Sequence, residues 1–168
     1  ERPDLRLILA PRQPRRFQAV AADFAARRLA FRRASEPWPE QPGDWVGTDA
    51  LLLDTLGELP TAYGEGTLAL VGGGWDWYGG HNPLEPVRLG LPTILGPGYR
   101  NFEDLVEPLL AAGRLRVVET PALGDAVREE LRSAPLRPPA RPEPLPGSLA
   151  GTLDRTWQIL MEILPTDR

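Results

Sequence analysis

The sequence predicts an α/β fold built on a doubly wound parallel sheet. Two observations predict it. Short strand candidates with uncharged centres alternate with helical stretches through most of the chain, the pattern of a parallel sheet covered on both faces. One of those strands runs into a glycine-rich turn that opens a helix, where such sheets hold their ligands.

The elements follow in order. Residues 5–10 (LRLILA) form a short apolar run ended by Pro11, a buried strand candidate. Over 14–28 the apolar residues Phe17, Val20, Ala21 and Phe24, continued by Leu29, recur at helical spacing. Residues 29–33 suit a second strand, and 36–47, with Pro37, Pro39, Pro42 and Gly43, read as a surface loop. Residues 50–54 (ALLLD) are the next strand candidate. A helix is expected over 55–63, where Pro60 fits only the first turn. Residues 67–71 (TLALV) form the strand that enters the glycine turn. Beyond it, 83–89 predict a helix stopped by Gly90 and Pro92. A very short strand over 93–95 and a turn over 96–98 come next. An amphipathic helix over 102–112 ends at Gly113, followed by a strand over 115–118 and a helix over 121–132 with Pro121 in its first turn. Residues 134–147 hold six prolines and read as a semi-rigid connector. Ser148 can cap a closing helix through residue 164, with Leu153, Trp157, Leu160 and Leu164 on one face.

Composition narrows the chemistry. The 168 residues suit one domain, and 42 % apolar with 25 % charged residues is globular usage. A net charge of −4 offers no basic excess to displace phosphate counterions, so a nucleic-acid partner is not expected. With no Cys and a single His, neither a thiol nucleophile nor a Cys- or His-based metal site is expected. All 19 basic residues are Arg, which excludes any lysine-based phosphate loop, Schiff base or general base. The chain opens at Glu1 and its only Met is Met161, so it reads as a piece of a longer protein. No signal peptide or run of eighteen apolar residues is visible, and the piece itself reads as soluble.

The densest segment is 72–97, GGGWDWYGGHNPLEPVRLGLPTILGP. Glycines at 72–74 and 79–80 open backbone conformations closed to other residues. Asn82 is placed to cap a helix opened by Pro83, leaving free N–H groups towards an anion. Glu85, one turn in, can bind a ribose or sugar diol, or merely complete a capping box with Asn82. His81 beside a cap is as readily structural as functional. Trp75, Trp77 and Tyr78 can stack on a base or pack under the loop. Spacing alone leaves these alternatives open.

The segment 72–97, and above all GGHNPLEP, resembles the signature of the 3-deoxy-D-manno-octulosonic acid (Kdo) transferases. Two upstream segments agree with it. Residues 11–17 (PRQPRRF) resemble that family's Pro-Arg-His-Pro-Glu-Arg-Phe, and 54–59 (DTLGEL) its Asp-Thr-Met-Gly-Glu-Leu. Asn101-Phe102 fits the Asn-Phe that follows the family's Gly-Pro. The resemblance covers residues 5–132. Departures are Gln13 for His, Gly98 where His often stands, Trp75-Asp76-Trp77, and Gly64-Glu65-Gly66.

The resemblance implies a Rossmann-like domain, the C-terminal half of a two-domain (GT-B type) glycosyltransferase that moves Kdo from CMP-Kdo to a lipid A precursor in lipopolysaccharide synthesis. It implies that residues 1–133 hold the nucleotide sugar, and that Pro11 and Arg12 lie at the nucleotide, with Arg12 facing its phosphate or carboxylate. Leu56, Gly57 and Glu58 would approach the cytidine. Asn82, Pro83, Leu84 and Glu85 would form the helix-start cradle, with Glu85 on the ribose and Gly80 and His81 in the same donor-binding set. No catalytic residue, cofactor or metal is expected in this piece. The base, the acceptor and any membrane-surface contact would belong to an N-terminal domain outside it, at the cytoplasmic side of the inner membrane. Helix 148–164 would pack on this domain or back on that one. The piece alone is expected to bind CMP weakly and transfer nothing. Alternatives are another nucleotide-sugar enzyme (a lipid-disaccharide synthase, UDP-sugar transferase or epimerase) or a non-catalytic nucleotide-binding module.

Overall fold

The computed structural model describes residues 5–37 and 47–133. The expected connector over 134–147, the closing helix and most of the loop over 36–47 lie outside the described residues. Two compact units divide the chain, Glu1–Ala62 and Tyr63–Arg168.

In the first unit, strand β1 (Leu7–Leu9) is followed by a single 3-10 turn (Pro14–Arg16) and helix α1 (Phe17–Ala26), then β2 (Phe31–Arg33) and β3 (Ala50–Leu52). Strand β3 is central, and both its pairings are parallel: Leu9 faces Leu52 on one side and Arg33 faces Leu52 on the other. Parallel pairing buries the middle strand, and Ala50, Leu51 and Leu52 are all buried. Helix α1 covers one face with Val20, Ala21 and Phe24 against Ala50 and Leu52. Phe24 meets Phe31 edge-on with ring centroids 5.3 Å apart. The helix ends on Arg28 at φ 57°, a left-handed position where Gly is the usual residue.

Helix α2 (Leu59–Gly64) crosses from the first unit into the second, which then holds β4 (Ala69–Val71), α3 (Leu84–Arg88), β5 (Thr93–Leu95), α4 (Glu103–Ala111), β6 (Arg116–Val117) and α5 (Leu123–Ser133). Its ladder runs β4-β5-β6, all parallel. Adjacent residues of β5 point to opposite faces, and each face has its own cluster. Leu95 packs with Val87 of α3 and Val106 and Leu109 of α4. Ile94 packs with Ala126 of α5 and Val118, backed by Trp75 and Val127. The parallel α/β reading therefore holds, with the six strands of the described residues in two three-stranded ladders, the second covered on both faces. Among the described residues no helix is long and apolar enough to cross a membrane.

Elements are shorter than the apolar runs suggested. Strand 67–71 begins at Ala69, strand 50–54 ends at Leu52, and helix 55–63 begins only at Leu59. Gly57 at φ 87° turns the chain between β3 and α2, so no helix can run through it.

Candidate functional site

All the segments singled out from sequence leave the carboxyl ends of parallel strands, where α/β sheets bind ligands. In the first unit, 11–17 follows β1 and 54–59 follows β3, and these two strands are hydrogen-bonded neighbours. The Leu53 N–H donates to the Leu9 carbonyl at 2.9 Å, so the two segments part company from the same end of one ladder. Arg12 is exposed and has no hydrogen-bond or ion-pair partner among the described residues. Its guanidinium is available to an anion, in contrast to Arg15, whose Nε donates to Gln13 Oε1 at 2.8 Å. Leu56, 80 % exposed, is a large apolar side chain held out in water beside Gly57. Glu58 accepts the Thr55 hydroxyl, and its carbonyl accepts the Ala62 N–H of α2 at 3.0 Å. Its carboxylate thus has a local partner at the start of α2.

Asp54, quoted above only as part of a motif, is a structural group. Its side chain is 3 % exposed and accepts Arg33 Nε at 2.7 Å. The Ser35 N–H and hydroxyl donate to the same carboxylate at 2.8 and 2.7 Å. Burial pushes the carboxyl up, but the Ser35 bonds and Arg33 outweigh burial and hold it below its usual value. This cluster ties the segment after β3 to the end of β2. Nothing local in the sequence signals this pairing, which spans 21 residues.

In the second unit the chain leaves β4 through the glycine turn. Gly72 and Gly73 carbonyls accept the His81 and Gly80 N–H groups at 3.1 and 3.0 Å, closing the loop on itself. The His81 ring lies against Gly73, where an added Cβ would meet it at 3.1 Å. His81 therefore packs against the loop's own backbone. Where β4 and β5 end, the chains touch main chain to main chain: a Cβ on Gly96 would lie 2.4 Å from the Gly74 carbonyl group. The Gly98 N–H donates to Gly74 at 2.8 Å across this contact. Trp75 packs beneath, its indole N–H donating to the Val118 carbonyl at 2.8 Å, whereas Trp77 and Tyr78 stand exposed. Trp75 thus packs under the loop, and Trp77 and Tyr78 do not.

The helix start needs a correction. Helix α3 begins at Leu84 with Pro83 as its cap residue, one position later than expected. Asn82 Oδ1 still accepts the Leu84 N–H, at 2.9 Å. The shift moves Glu85 out of the position a capping box requires, and its carboxylate is exposed with no hydrogen bond among the described residues. Its charge is felt at Tyr63, whose phenol is pushed up first by burial and second by Glu85. The expected row of free amides is also reduced. Pro83 and Pro86 have no N–H and Asn82 takes that of Leu84, so Glu85 alone keeps a free amide in this turn among the described residues. A five-residue helix carries little dipole, so an anion here depends on side chains more than on the helix end. Gly80, Asn82 and Leu84 lie around this turn, and Pro83 is buried. A shallow hollow of about 300 Å³, lined by Gly90, Thr93, Arg114 and Arg116 among others, lies where β5 and β6 begin and contains none of the predicted residues.

Comparison with known proteins agrees with these motifs. The chain is 42 % identical over 107 residues to the 3-deoxy-D-manno-octulosonic acid transferase of Bordetella pertussis, and 38 % identical over 134 residues to that of Haemophilus influenzae. Among solved structures it matches the C-terminal CMP-Kdo binding domain of WaaA from Acinetobacter baumannii, with a TM-score of 0.69 and 30 % identity. This chain belongs to the Kdo transferase family. The WaaA match covers 76 % of this chain and 65 % of that domain, so its Rossmann-like C-terminal fold is the one described above. The Bordetella match takes in 64 % of this chain but 24 % of that protein, and the Haemophilus match 78 % and 30 %. The chain therefore spans well under half the length of the curated Kdo transferases it matches. A scan against protein-family models finds no match.

Proposed function

We propose that this chain is the donor-binding domain of a Kdo transferase, holding CMP-Kdo while the sugar passes to a lipid A precursor. The observation that supports this best is the 30 % identical, TM-score 0.69 match to a CMP-Kdo binding domain. The acceptor hydroxyl attacks the anomeric carbon, the bond from that carbon to the phosphate oxygen breaks, and the electron pair leaves with CMP. Arg12, a guanidinium without a partner among the described residues, offsets the charge that grows on the leaving phosphate. In the second unit taken by itself, Glu85 is an exposed carboxylate with no hydrogen bond among the described residues, the chemistry that accepts a ribose hydroxyl. Leu56 and Gly57 form an apolar and unobstructed approach for the cytosine, with Glu58 beside them. The same reading gives the proton-accepting base and the acceptor to a domain outside this chain, at the cytoplasmic face of a membrane. It also makes transfer independent of metal, since Arg12 does the charge neutralisation.

Isothermal titration of this chain tests the reading. CMP should bind and UDP should bind at least tenfold more weakly. Absence of CMP binding at millimolar ligand, with the domain folded, overturns it. Arg12→Ala should weaken CMP about tenfold or more, the worth of a charge-assisted contact. Because Arg12 touches nothing else described, its melting temperature should stay within about a degree of wild type.

A further inference from the structure

The loop after β4 holds two large aromatic side chains in water. Trp77 is 73 % and Tyr78 61 % exposed. Their rings stack at 4.3 Å between centroids with 26° between planes, so each braces the other. The backbone beneath is pinned at three points. Asp76 Oδ1 accepts the Tyr78 N–H at 3.0 Å, Arg100 Nη2 donates to the Trp77 carbonyl at 2.9 Å, and Asn101 Nδ2 donates to the Tyr78 carbonyl at 2.9 Å. Gly79, at φ 83°, lets the Asn101 carboxamide sit where a Cβ would be, 2.5 Å away. Exposed aromatic surface lowers solubility and gives nothing to the core, yet this loop is built to hold it still. Rigid Trp and Tyr surfaces offer amphipathic contact area at small entropic cost, the property of a recognition surface. Arg100 adds a charge: beyond its bond to Trp77, its remaining donors have no partner among the described residues. A guanidinium beside an apolar platform fits a ring with a C–H face and an anionic substituent.

We propose that the Trp77–Tyr78 stack, with Arg100, binds the pyranose ring of an anionic sugar. The inference rests on the donor-binding reading above and extends it from the nucleotide to the sugar. Two sources share this chemistry: the sugar acid of the donor, and a phosphorylated saccharide of the acceptor. Cytosine is uncharged and makes no use of Arg100, and the phosphate of CMP is given to Arg12 above, so the sugar rather than the base is placed on the stack.

The test uses the full-length protein with CMP, CMP-Kdo and a lipid A precursor as probes. Trp77→Ala should leave the CMP dissociation constant within twofold and raise KM about tenfold for CMP-Kdo if the donor sugar is the occupant. If the acceptor saccharide is the occupant, the acceptor KM rises instead. Trp77→Phe should restore most of the loss, and Arg100→Gln should affect the same KM as Trp77→Ala. Unchanged KM values for both substrates overturn the inference, as does a loss of CMP affinity, which would return the stack to the base. Loss of vesicle binding with both KM values intact overturns it too, because the stack would then face a membrane. Failure of wild-type protein to bind CMP defeats the donor-binding reading itself, a result separable from all of these.

Discussion

The two units hold their ligand-facing loops by opposite means. In the second unit, the segments after β4 and β5 are locked by bare backbone, Gly74 against Gly96, above a sheet packed on both faces through Ile94 and Leu95. In the first, the segment after β3 is held by a buried carboxylate, Asp54, gripping Arg33 and Ser35. Main-chain contact is indifferent to pH and intolerant of size. An ionic tether tolerates size and depends on charge. Both produce a fixed loop, but different perturbations release them.

Four experiments sharpen or break this contrast. The largest effect belongs to the packed unit: Leu109, fully buried between α4 and β5, should cost about 3 kcal/mol when cut to Ala, read as a shift in urea midpoint. Next comes Gly96→Ala, expected to cost about 2–3 kcal/mol by forcing apart the two strand ends. Gly57→Ala is its control in the first unit, with open space around the added methyl but φ 87°, and should cost only about 1 kcal/mol. Equal losses for the two glycines would refute the backbone lock. Asp54→Asn should cost about 2 kcal/mol at neutral pH, discounted because Arg33 is partly exposed. Its sign with pH is fixed: a carboxyl held below 3.8 in the folded chain stabilises above that value and stops doing so as pH falls through its lowered pKa. The gap between wild type and Asp54→Asn should therefore be constant from pH 7 to 5 and close below about pH 4, whereas Leu109→Ala keeps its deficit throughout. Smallest is Arg28→Gly, which relieves a left-handed residue at the end of α1 and should raise stability by about 0.5–1 kcal/mol.

Much of this was legible in the residues. Among the described residues, six strands and five helices follow the apolar periods, because parallel strands buried on both faces leave uninterrupted runs such as TIL at 93–95. Ends were less legible. Pro83 reads equally as cap or first helical residue, and that single step decides whether Glu85 closes a capping box or faces water. Long-range pairings were not legible at all. Nothing local distinguishes Trp75 from Trp77, since what buries the former is a carbonyl 43 residues away. The same holds for Asp54, whose partners come from β2 and the turn after it. The motifs after β1, β3 and β4 identify where a ligand meets the fold; the residues that keep those loops in place come from elsewhere in the chain.

The Gly74–Gly96 contact has a consequence for how this sequence can drift. A Cβ on Gly96 would lie 2.4 Å from the Gly74 carbonyl group, which must then shift. One on Gly74 would stand 3.0 Å from the Gly96 carbonyl oxygen, a tight contact to which Gly96 must give way by a few tenths of an ångström. A neighbour's shrinking ordinarily rescues an enlarged residue, but neither neighbour here can shrink. The pair is coupled but unequal: a side chain at Gly96 must move the backbone at Gly74, whereas one at Gly74 asks only a small shift of Gly96.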